Sequence, residues 1–184
     1  MAHSNSPWEK VSLGSKSPDV VNVVIEIPKG SQNKYEFDEE TGVFKLDRVL
    51  FTAFRYPLDY GFIPHTRSED GDHADALVIG GDPLPLGTVV AVRPIGILNM
   101  IDSGDPDAKI LAVQDKNPRF DTIKDIKDIE THNPHLLKEI EHFFLHYKDL
   151  QGKKVELHGW GGAAAAKKEI EKSAAAYGKE ASGK

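Results

Sequence analysis

The chain has 184 residues, a formal net charge of -6 and no cysteine. This length suits one domain, which we expect to span residues 1–184, with a core over about 20–177 and flexible ends at 1–15 and 178–184. The lack of cysteine excludes disulfides and thiol nucleophiles, and the acidic balance argues against a protein that wraps a nucleic acid. With no secretory leader pattern and no apolar run of membrane-spanning length, we expect a cytoplasmic protein that binds no membrane.

The first strand is predicted over residues 20–27, a run rich in β-branched side chains that ends at Pro28. Glu26 is the one acid in this run. An acid in such a position is either an outward-facing edge residue or a functional group that the strand carries into a site. The pattern leaves both interpretations open.

A β-hairpin with one buried face is predicted next, with strands over 34–38 and 43–49. Polar and apolar residues alternate along the first of these strands, and residues 39–42 form the turn. Because side chains alternate between the two faces of a strand, Lys34 and Glu36 share one face. They form either a surface ion pair or a phosphate ligand beside a metal ligand.

Three carboxylates, Asp70, Asp72 and Asp75, follow within six residues. Gly71 lets the backbone bend between the first two, and the apolar run at 76–79 predicts a buried strand. Like charges this close repel and raise one another's pKa unless a cation lies among them. The cluster therefore indicates either a solvated acidic turn or a metal site.

A second acidic turn, at 102–109, contains Asp102 and Asp107 and also leads into an apolar run, at 110–113. Two acidic turns at the ends of two strands can share several cations. The second turn therefore favours the metal-site interpretation of both.

Further strands are predicted over 88–92 and 95–101. At least five strands then precede residue 115, with no helical stretch between them. That order favours a small closed or nearly closed barrel over an alternating α/β sheet.

Helical periodicity follows the strands. Asn133 before Pro134 is typical of a helix start. Apolar residues then recur at helical spacing from 136 to 147, and this stripe is expected to pack on the barrel. Glycines at 159–162 predict a break before a terminal helix over 163–177.

His142 and His146 lie four residues apart on the more polar side of the first predicted helix. This spacing occurs in metal sites, but no acid completes a His-Glu-x-x-His pattern. A subunit contact or a plain surface is the preferred interpretation.

Several ordered motifs along the chain match a known family: Val24-Ile25-Glu26-Ile27-Pro28, Lys34-Tyr35-Glu36, Asp47-Arg48, Tyr56-Pro57, Tyr60-Gly61, Asp70-Gly71-Asp72 with Asp75, Asp102 with Asp107-Ala108-Lys109, and His142-Phe143-Phe144 before His146-Tyr147-Lys148-Asp149. Each motif is weak alone, but together and in this order they are specific. On these motifs the chain resembles the soluble family I inorganic pyrophosphatases of the prokaryotic type.

The resemblance implies a fold, a reaction and a cofactor. The implied fold is mainly β with peripheral α-helices (α+β): a small closed five-stranded barrel of the oligonucleotide-binding type with C-terminal helices. The implied reaction is the hydrolysis of inorganic pyrophosphate to two phosphates by metal-activated water attack. Mg2+ is the implied cofactor, with several ions per active site, and Mn2+ or Zn2+ are substitutes.

The resemblance also implies roles for individual residues. Asp72 matches the residue that accepts a proton from the attacking water. The residues that match the metal-binding acids and their lining are Asp70, Asp75, Asp102, Asp107, Glu36 and Glu26. Of these, Asp102 and Asp107 match the ligands of an ion that arrives with the substrate. The residues that match phosphate contacts or their lining are Lys34, Arg48, Tyr56, Tyr60, Lys109, Tyr147 and Lys148.

The chain departs from the family pattern in the central motif, where His73 and Ala74 replace the usual proline and larger aliphatic residue. Proline would stiffen the turn, and we expect His73 to face solvent. Ser103 stands where some relatives carry an acid, which puts a metal contact there in doubt.

Other classes of protein fit the residues less well. A non-enzymatic oligonucleotide-binding barrel needs basic and aromatic residues interleaved on its sheet, whereas acids crowd this site. A helix-loop-helix calcium loop from Asp70 needs glycine at position 75 and glutamate at 81, where this chain has Asp75 and Gly81. A nucleotide phosphohydrolase fits on chemistry alone, but the chain shows no Gly-x-x-x-x-Gly-Lys loop.

The resemblance extends to assembly, because prokaryotic relatives commonly form hexamers built from trimers. It implies a homohexamer with His142 and His146 near a subunit contact. Pyrophosphate is the implied partner, and no nucleic acid is expected.

Overall fold

The computed structural model describes residues 7–183 of the chain. Five strands form a closed ring at its centre. In ring order they are β1 (Val21–Ile27), β4 (Asp59–Ile63), β5 (Ala74–Ile79), β8 (Lys109–Gln114) and β6 (Val89–Asp102), and β6 pairs back to β1. The β5–β8 pair is parallel and the other pairs of the ring are antiparallel. The predicted mainly β fold with a small closed five-stranded barrel is confirmed.

The apolar runs predicted at 76–79 and 110–113 lie in β5 and β8, and both faces of these strands are buried. Leu77 and Leu111 belong to one hydrophobic cluster, whereas Ala76 and Ile110 belong to a second. Since alternate residues of a strand point to opposite faces, a strand covered on both sides is apolar at every position. This is why these strands show no polar alternation.

The predicted hairpin forms a separate two-stranded sheet of β2 (Asn33–Asp38) and β3 (Val43–Val49). Its predicted buried face is wrong, because no residue of either strand is buried. Val43 is 48% exposed and Leu46 is 55% exposed. Phe37 pairs with Phe44 across the hairpin, and both rings are half-buried. The hairpin therefore packs beside the barrel without a core of its own.

β6 is one strand of 14 residues where the sequence predicts two. Pro94 lies inside it, at a point where the register with β8 shifts between Pro94 and Gly96. Such a shift accommodates a residue that has no N–H to donate. The second half of β6 also pairs with β9 (Val155–Gly162), and its end pairs with β7 (Asp105–Pro106). The glycines at 159–162, predicted as a break, form the end of β9.

Three α-helices cover the barrel: α1 (Ile126–His132), α2 (Pro134–His146) and α3 (Ala163–Ser182). α2 begins at Pro134 as predicted, and its apolar stripe packs into the first core cluster. The buried residues of this stripe are Leu137, Ile140, Phe143 and Phe144. α3 packs on the second core cluster through Ala166 and Ile170.

The sequence does not predict α1. This short helix starts with a capping box in which Asp125 and Asp128 each bond the other's backbone N–H. Asn133, predicted as the N-cap of α2, makes no side-chain cap hydrogen bond. Its backbone N–H donates to the Ile129 carbonyl, so Asn133 closes α1 before α2 begins.

Both ends of the described chain contain helical residues that the sequence does not predict. α3 extends through Ser182, so residues 178–182 are helical. Near the other end, Pro7–Lys10 forms a short 3-10 helix in which the Trp8 ring packs edge-on against Phe44, with centroids 4.8 Å apart. Positions 1–6 and 184 lie outside the described residues, and the flexibility of both ends stays a prediction. None of the helices within 7–183 is long and apolar enough to cross a membrane.

Gly61 in β4 lies so close to β1 that any side chain at this position would collide with the β1 backbone. A Cβ atom at this position would lie 2.0 Å from the Val24 carbonyl oxygen. We expect Gly61→Ala to lower the free energy of unfolding by at least ~1–3 kcal/mol, the usual cost of overpacking. Gly81→Ala is the matched control, because no atom lies within 4 Å of a Cβ there. Urea unfolding of both variants measures the difference, and equal stabilities would contradict the predicted contact.

Candidate active site

The first acidic turn lies directly before β5. Gly71 adopts a left-handed conformation with φ +94°, and the Asp70 carboxylate accepts a hydrogen bond of 3.0 Å from the Asp72 N–H. The Ser68 N–H donates to the Asp72 carbonyl at 2.8 Å. Asp72 is exposed, while Asp75 is half-buried inside the strand. The turn therefore presents two carboxylates from a loop and a third from the barrel wall.

Lys109 lies at the centre of the acids. Parallel pairing of β5 and β8 places Lys109 beside Asp75, and the Lys109 Nζ lies 2.5 Å from the Asp75 Oδ2. The same ammonium bonds Asp107 and donates to the Tyr60 hydroxyl at 3.2 Å. Burial lowers the pKa of Lys109, but the charges of Asp75 and Asp107 outweigh burial and raise it. This lysine is therefore a fixed cation within the acidic group.

Mutual repulsion acts on the acids that Lys109 does not fully neutralise. The pKa of Asp107 is raised by burial and by the nearby Asp75, in spite of the Lys109 contact. The pKa of Asp72 is raised by desolvation of its carboxyl and by repulsion from Asp70 and Asp75. A bound cation would relieve both effects.

Glu26 is a buried functional candidate and not an outward-facing edge residue. It is 8% exposed and accepts a hydrogen bond of 2.7 Å from the Phe37 N–H. Burial and then the negative charge of Asp75 raise the pKa of Glu26 to about 8. β1 thus places this acid in the wall of a cleft, and its functional role stays a prediction.

Asp102 has a different environment at the end of β6. Its Oδ2 accepts from the Tyr147 hydroxyl at 2.8 Å and from the Lys148 ammonium, and its Oδ1 accepts from Ser103 at 2.7 Å. Burial raises the pKa of Asp102, but these three hydrogen bonds outweigh it and lower the pKa. Asp102 therefore stays ionised and joins the end of α2 to the barrel. The negative charge of Asp102 also contributes to the raised pKa of the neighbouring Asp107.

The hairpin contributes two cations to the site, Lys34 and Arg48, which we call the basic edge. Lys34 and Arg48 are paired across β2 and β3, and both approach Asp47, at 3.4 Å and 2.6 Å. Lys34 also contacts Glu36, as the ion-pair interpretation predicts. Burial and the neighbouring Arg48 lower the pKa of Lys34. The buried Nε of Arg48 has no hydrogen-bond partner within the described part of the chain.

Three buried tyrosines lie among these charges: Tyr56, Tyr60 and Tyr147. The Tyr56 ring packs on Tyr60, with centroids 5.6 Å apart, and on Phe143 of α2, at 4.9 Å. Burial raises the pKa of all three hydroxyls. They are therefore neutral O–H groups that can donate hydrogen bonds to an anion.

A cleft of about 150 Å³ brings much of the predicted set together. The predicted residues that line it are Glu26, Lys34, Glu36, Tyr60, Asp72 and Asp75. A second cavity, of about 390 Å³, is lined by Asp70 and Asp107 and shares His73 and Asp75 with the first. These two residues therefore lie between two concave surfaces. The cleft also includes Tyr35, Phe37, Glu39, Phe62 and His73, which the sequence does not mark as site residues.

The described acids are not gathered around a metal position. Within residues 7–183, no three acidic or histidine side chains stand close enough to hold an ion. Between Asp75 and Asp107 lies the ammonium of Lys109. The donor chemistry fits a hard divalent cation nonetheless, because the acids offer only carboxylate oxygens and repel one another.

His73 does not face solvent as expected. Its side chain is 14% exposed and its ring stacks on Phe62, with centroids 4.9 Å apart. The Nδ1–H donates to the Thr66 carbonyl at 2.8 Å, and the Nε2 lies 3.1 Å from the Glu39 carboxylate. Nothing in the local sequence marks these contacts, because they join residues from three separate elements.

His142 and His146 lie on the solvent side of α2, away from the core stripe. Their ring centroids are 4.8 Å apart, and the Asp149 carboxylate lies 2.9 Å from the His146 Nδ1. Asp149, which follows the end of α2, thus places a carboxylate beside the two histidines. Leu145 and Leu150 are exposed on the same part of the chain, at 39% and 68%.

Sequence and fold both match known proteins over most of the chain. The family model of inorganic pyrophosphatase matches residues 23–178. The inorganic pyrophosphatase of Sulfolobus acidocaldarius is 54% identical over an alignment of 166 residues. The alignment covers 88% of this chain and 94% of the relative. That of Geobacillus stearothermophilus is 50% identical over 161 residues, 88% of this chain and 96% of the relative.

Similarity in three dimensions is equally extensive. The crystal structure of inorganic pyrophosphatase from Thermus thermophilus has a TM-score of 0.87 and 45% identity, and covers 96% of this chain and 99% of that one. Together with the family match, this identifies the chain as a member of the inorganic pyrophosphatase family, enzymes that hydrolyse pyrophosphate to phosphate.

Proposed function

We propose that pyrophosphate is hydrolysed at the cleft beside the first acidic turn, with Asp72 as the proton acceptor for the attacking water. The observation that carries this proposal is the convergence of Asp72, Lys34 and Tyr60 on one cleft. Lys34 brings a cation, Tyr60 a neutral hydroxyl and Asp72 an exposed carboxylate. Because desolvation and then the negative charges of Asp70 and Asp75 raise its pKa, Asp72 is a stronger base than an isolated carboxylate.

The chemistry requires charge to be neutralised on both sides of the bond that breaks. Water attacks one phosphorus atom, and the P–O bond to the other phosphate breaks as the new O–P bond forms. Asp72 takes the proton that the water gives up, and the leaving phosphate departs with the electrons of the broken bond. Cations and hydrogen-bond donors around the phosphate oxygens then stabilise the developing charge.

We assign the phosphate contacts to the basic edge, the central lysine and the buried tyrosines. The Arg48 Nε supports this, because a buried donor without a partner in the described residues is suited to an anionic ligand. The tyrosine hydroxyls stay protonated and donate. The full proposed set is Lys34, Arg48, Tyr56, Tyr60, Lys109, Tyr147 and Lys148.

We assign the acids to Mg2+, a hard ion that takes oxygen ligands. The first ion is assigned to Asp70, Asp75 and Asp107, and a further ion to Asp102 with Asp107, with Glu26 and Glu36 completing the acidic lining. When bound, such ions supply Lewis-acid activation of water and neutralise the substrate. The raised pKa values of Glu26 and Asp107 support the assignment, since cations would favour their ionised forms. Mn2+ and Zn2+ are proposed as substitutes that use the same oxygens.

We further propose that residues 1–184 form one catalytic domain and that the enzyme is a homohexamer. The family match over 23–178 supports the single domain. Exposed Leu145 and Leu150 beside His142 and His146 support a subunit contact on this face of α2. The cytoplasmic location stays a prediction from the sequence.

Replacement of the proposed base tests the mechanism. We expect Asp72→Asn to lower the rate of Mg2+-dependent phosphate release from pyrophosphate by ~100-fold or more, because general-base catalysis contributes about that factor. ATP, run in parallel, should give no comparable release. Asp82→Asn is the control, since Asp82 is an exposed loop acid outside the cleft. Wild-type turnover by the Asp72→Asn enzyme would contradict the assignment.

The buried Glu26 predicts a pH dependence of stability in the metal-free protein. Its pKa is about 8 in the fold against 4.5 as a free side chain, so the folded state holds a proton that the unfolded state releases. Stability should therefore fall as pH rises from about 4.5 to about 8, by up to ~1.4 kcal/mol per pH unit.

Glu26→Gln should remove this contribution to the slope of unfolding free energy against pH. Glu40→Gln, in the exposed hairpin turn, should leave the slope unchanged. Urea unfolding in EDTA between pH 5.5 and pH 7.5 would measure both slopes. Identical slopes for wild type and Glu26→Gln would show that this carboxyl is not the buried acid described.

Light scattering tests the proposed assembly. We expect a mass of six times the 20.3 kDa chain near neutral pH. A charge placed at Leu145, as in Leu145→Asp, should reduce this mass, because desolvation of a carboxylate at a subunit contact is costly. A monomeric wild type would contradict the hexamer.

A further inference from the structure

We propose that His73 is a positioning residue that couples the C-terminal helix α3 to the turn carrying Asp70 and Asp72. The inference rests on the proposed function in one respect, namely that the position of Asp72 matters for turnover. It goes beyond that function because it assigns a role to α3, which contributes none of the proposed catalytic or binding residues.

The His73 ring is held on three sides. It stacks on Phe62 of β4 with an interplanar angle of 14°, and its Nδ1–H bonds the Thr66 carbonyl at 2.8 Å. The Tyr177 ring of α3 lies tilted to the His73 ring at 38°, with its centroid 6.0 Å away. The Glu39 carboxylate of the hairpin turn approaches the Nε2 at 3.1 Å. A side chain so placed links the barrel, the hairpin turn and α3.

α3 also reaches the acidic turn through Arg67. The Arg67 backbone N–H donates to the Ser173 carbonyl of α3 at 2.8 Å, and its guanidinium lies over the Tyr177 ring at 5.6 Å. The same guanidinium bonds Glu180 of α3 at 3.0 Å and the Gly71 carbonyl at 2.7 Å. Gly71 lies between Asp70 and Asp72. Tyr177 is therefore connected to the turn in two ways. It contacts His73, which follows Asp72, and it contacts Arg67, which bonds Gly71 just before Asp72.

The turn needs such support because its acids repel one another. Asp70, Asp72 and Asp75 are three carboxylates within six residues, and Glu39 brings a fourth to the cleft that Asp72 and Asp75 line. Repulsion of this kind favours opening of the turn. A proline at position 73 would oppose opening through the backbone, whereas His73 opposes it through side-chain contacts.

Proline can replace His73 without loss of a backbone bond. Within residues 7–183, the His73 N–H donates no hydrogen bond. His73→Pro therefore exchanges one kind of support for another and removes the route from α3 through His73, while the route through Arg67 remains. This exchange allows the coupling to be measured directly.

The test compares kcat and KM for magnesium pyrophosphate in His73→Ala, Tyr177→Ala, His73→Pro and the double variant His73→Pro/Tyr177→Ala. We expect His73→Ala to lower kcat by about tenfold with little change in KM, which corresponds to ~1.4 kcal/mol in the barrier. Tyr177→Ala should lower kcat several-fold in the wild-type background. The His73→Pro enzyme should lose less kcat than His73→Ala. In that background Tyr177→Ala should lower kcat by a clearly smaller factor, because only the route through Arg67 remains.

Lys167→Ala is the matched control. Lys167 joins α3 to Asp19 by an ion pair of 2.6 Å, and in the described structure neither residue lines the cleft or the second cavity. It should leave kcat unchanged. Thermal unfolding of each variant separates loss of fold from loss of turnover. If His73→Ala does not fold, the pair of Tyr177→Ala measurements carries the test alone.

An equal effect of Tyr177→Ala in both backgrounds would overturn the proposal, as would a His73→Ala enzyme with wild-type kcat. Failure of the proposed base is distinguishable from this result. All the variants retain Asp72, so their coupling stands or falls independently of whether Asp72→Asn abolishes turnover.

Discussion

The structure depends on how repulsion among clustered carboxylates is balanced. The parallel pairing of β5 with β8 places Asp75 beside Lys109, and the same lysine bonds Asp107. One ammonium faces several carboxyl groups here, and burial together with the negative charge of Asp75 raises the pKa values of Asp107 and Glu26. A site that remains short of positive charge attracts cations, and a polyanionic substrate can approach such acids only when cations accompany it.

The elements around the barrel add cations and a hydroxyl group to the lysine that the ring strands carry. The hairpin brings Lys34 and Arg48, and the end of α2 brings Tyr147 and Lys148 to Asp102. The hairpin has no buried core, so its position depends on contacts with its neighbours. α3 contributes no assigned catalytic group, yet it packs on the barrel and contacts the acidic turn. Each peripheral element can therefore affect the site through position as well as through chemistry.

The sequence predicts those parts of the structure that depend on local pattern. The apolar runs of β5 and β8 and the stripe of α2 indicate strands and a helix, and the spacing of the acids together with the family resemblance indicates where they converge. β9 is missed because its glycines look like a break, and only pairing with β6 makes them a strand. His73 is misplaced for a similar reason, since its burial comes from Phe62 and Tyr177, which are distant in sequence. Such tertiary contacts override local preference and leave no signal near the residue itself.

The central claim is that the acids around Lys109 hold divalent cations. Anomalous diffraction from crystals soaked in Mn2+, an ion that binds oxygen ligands as Mg2+ does, tests it most directly. The account predicts strong peaks within ~2.0–2.3 Å of carboxylate oxygens of Asp70, Asp75 and Asp107, with the Lys109 ammonium moved away from at least one of its present partners. Peaks confined to other surfaces, or the absence of any peak beside these three aspartates at saturating Mn2+, would contradict it.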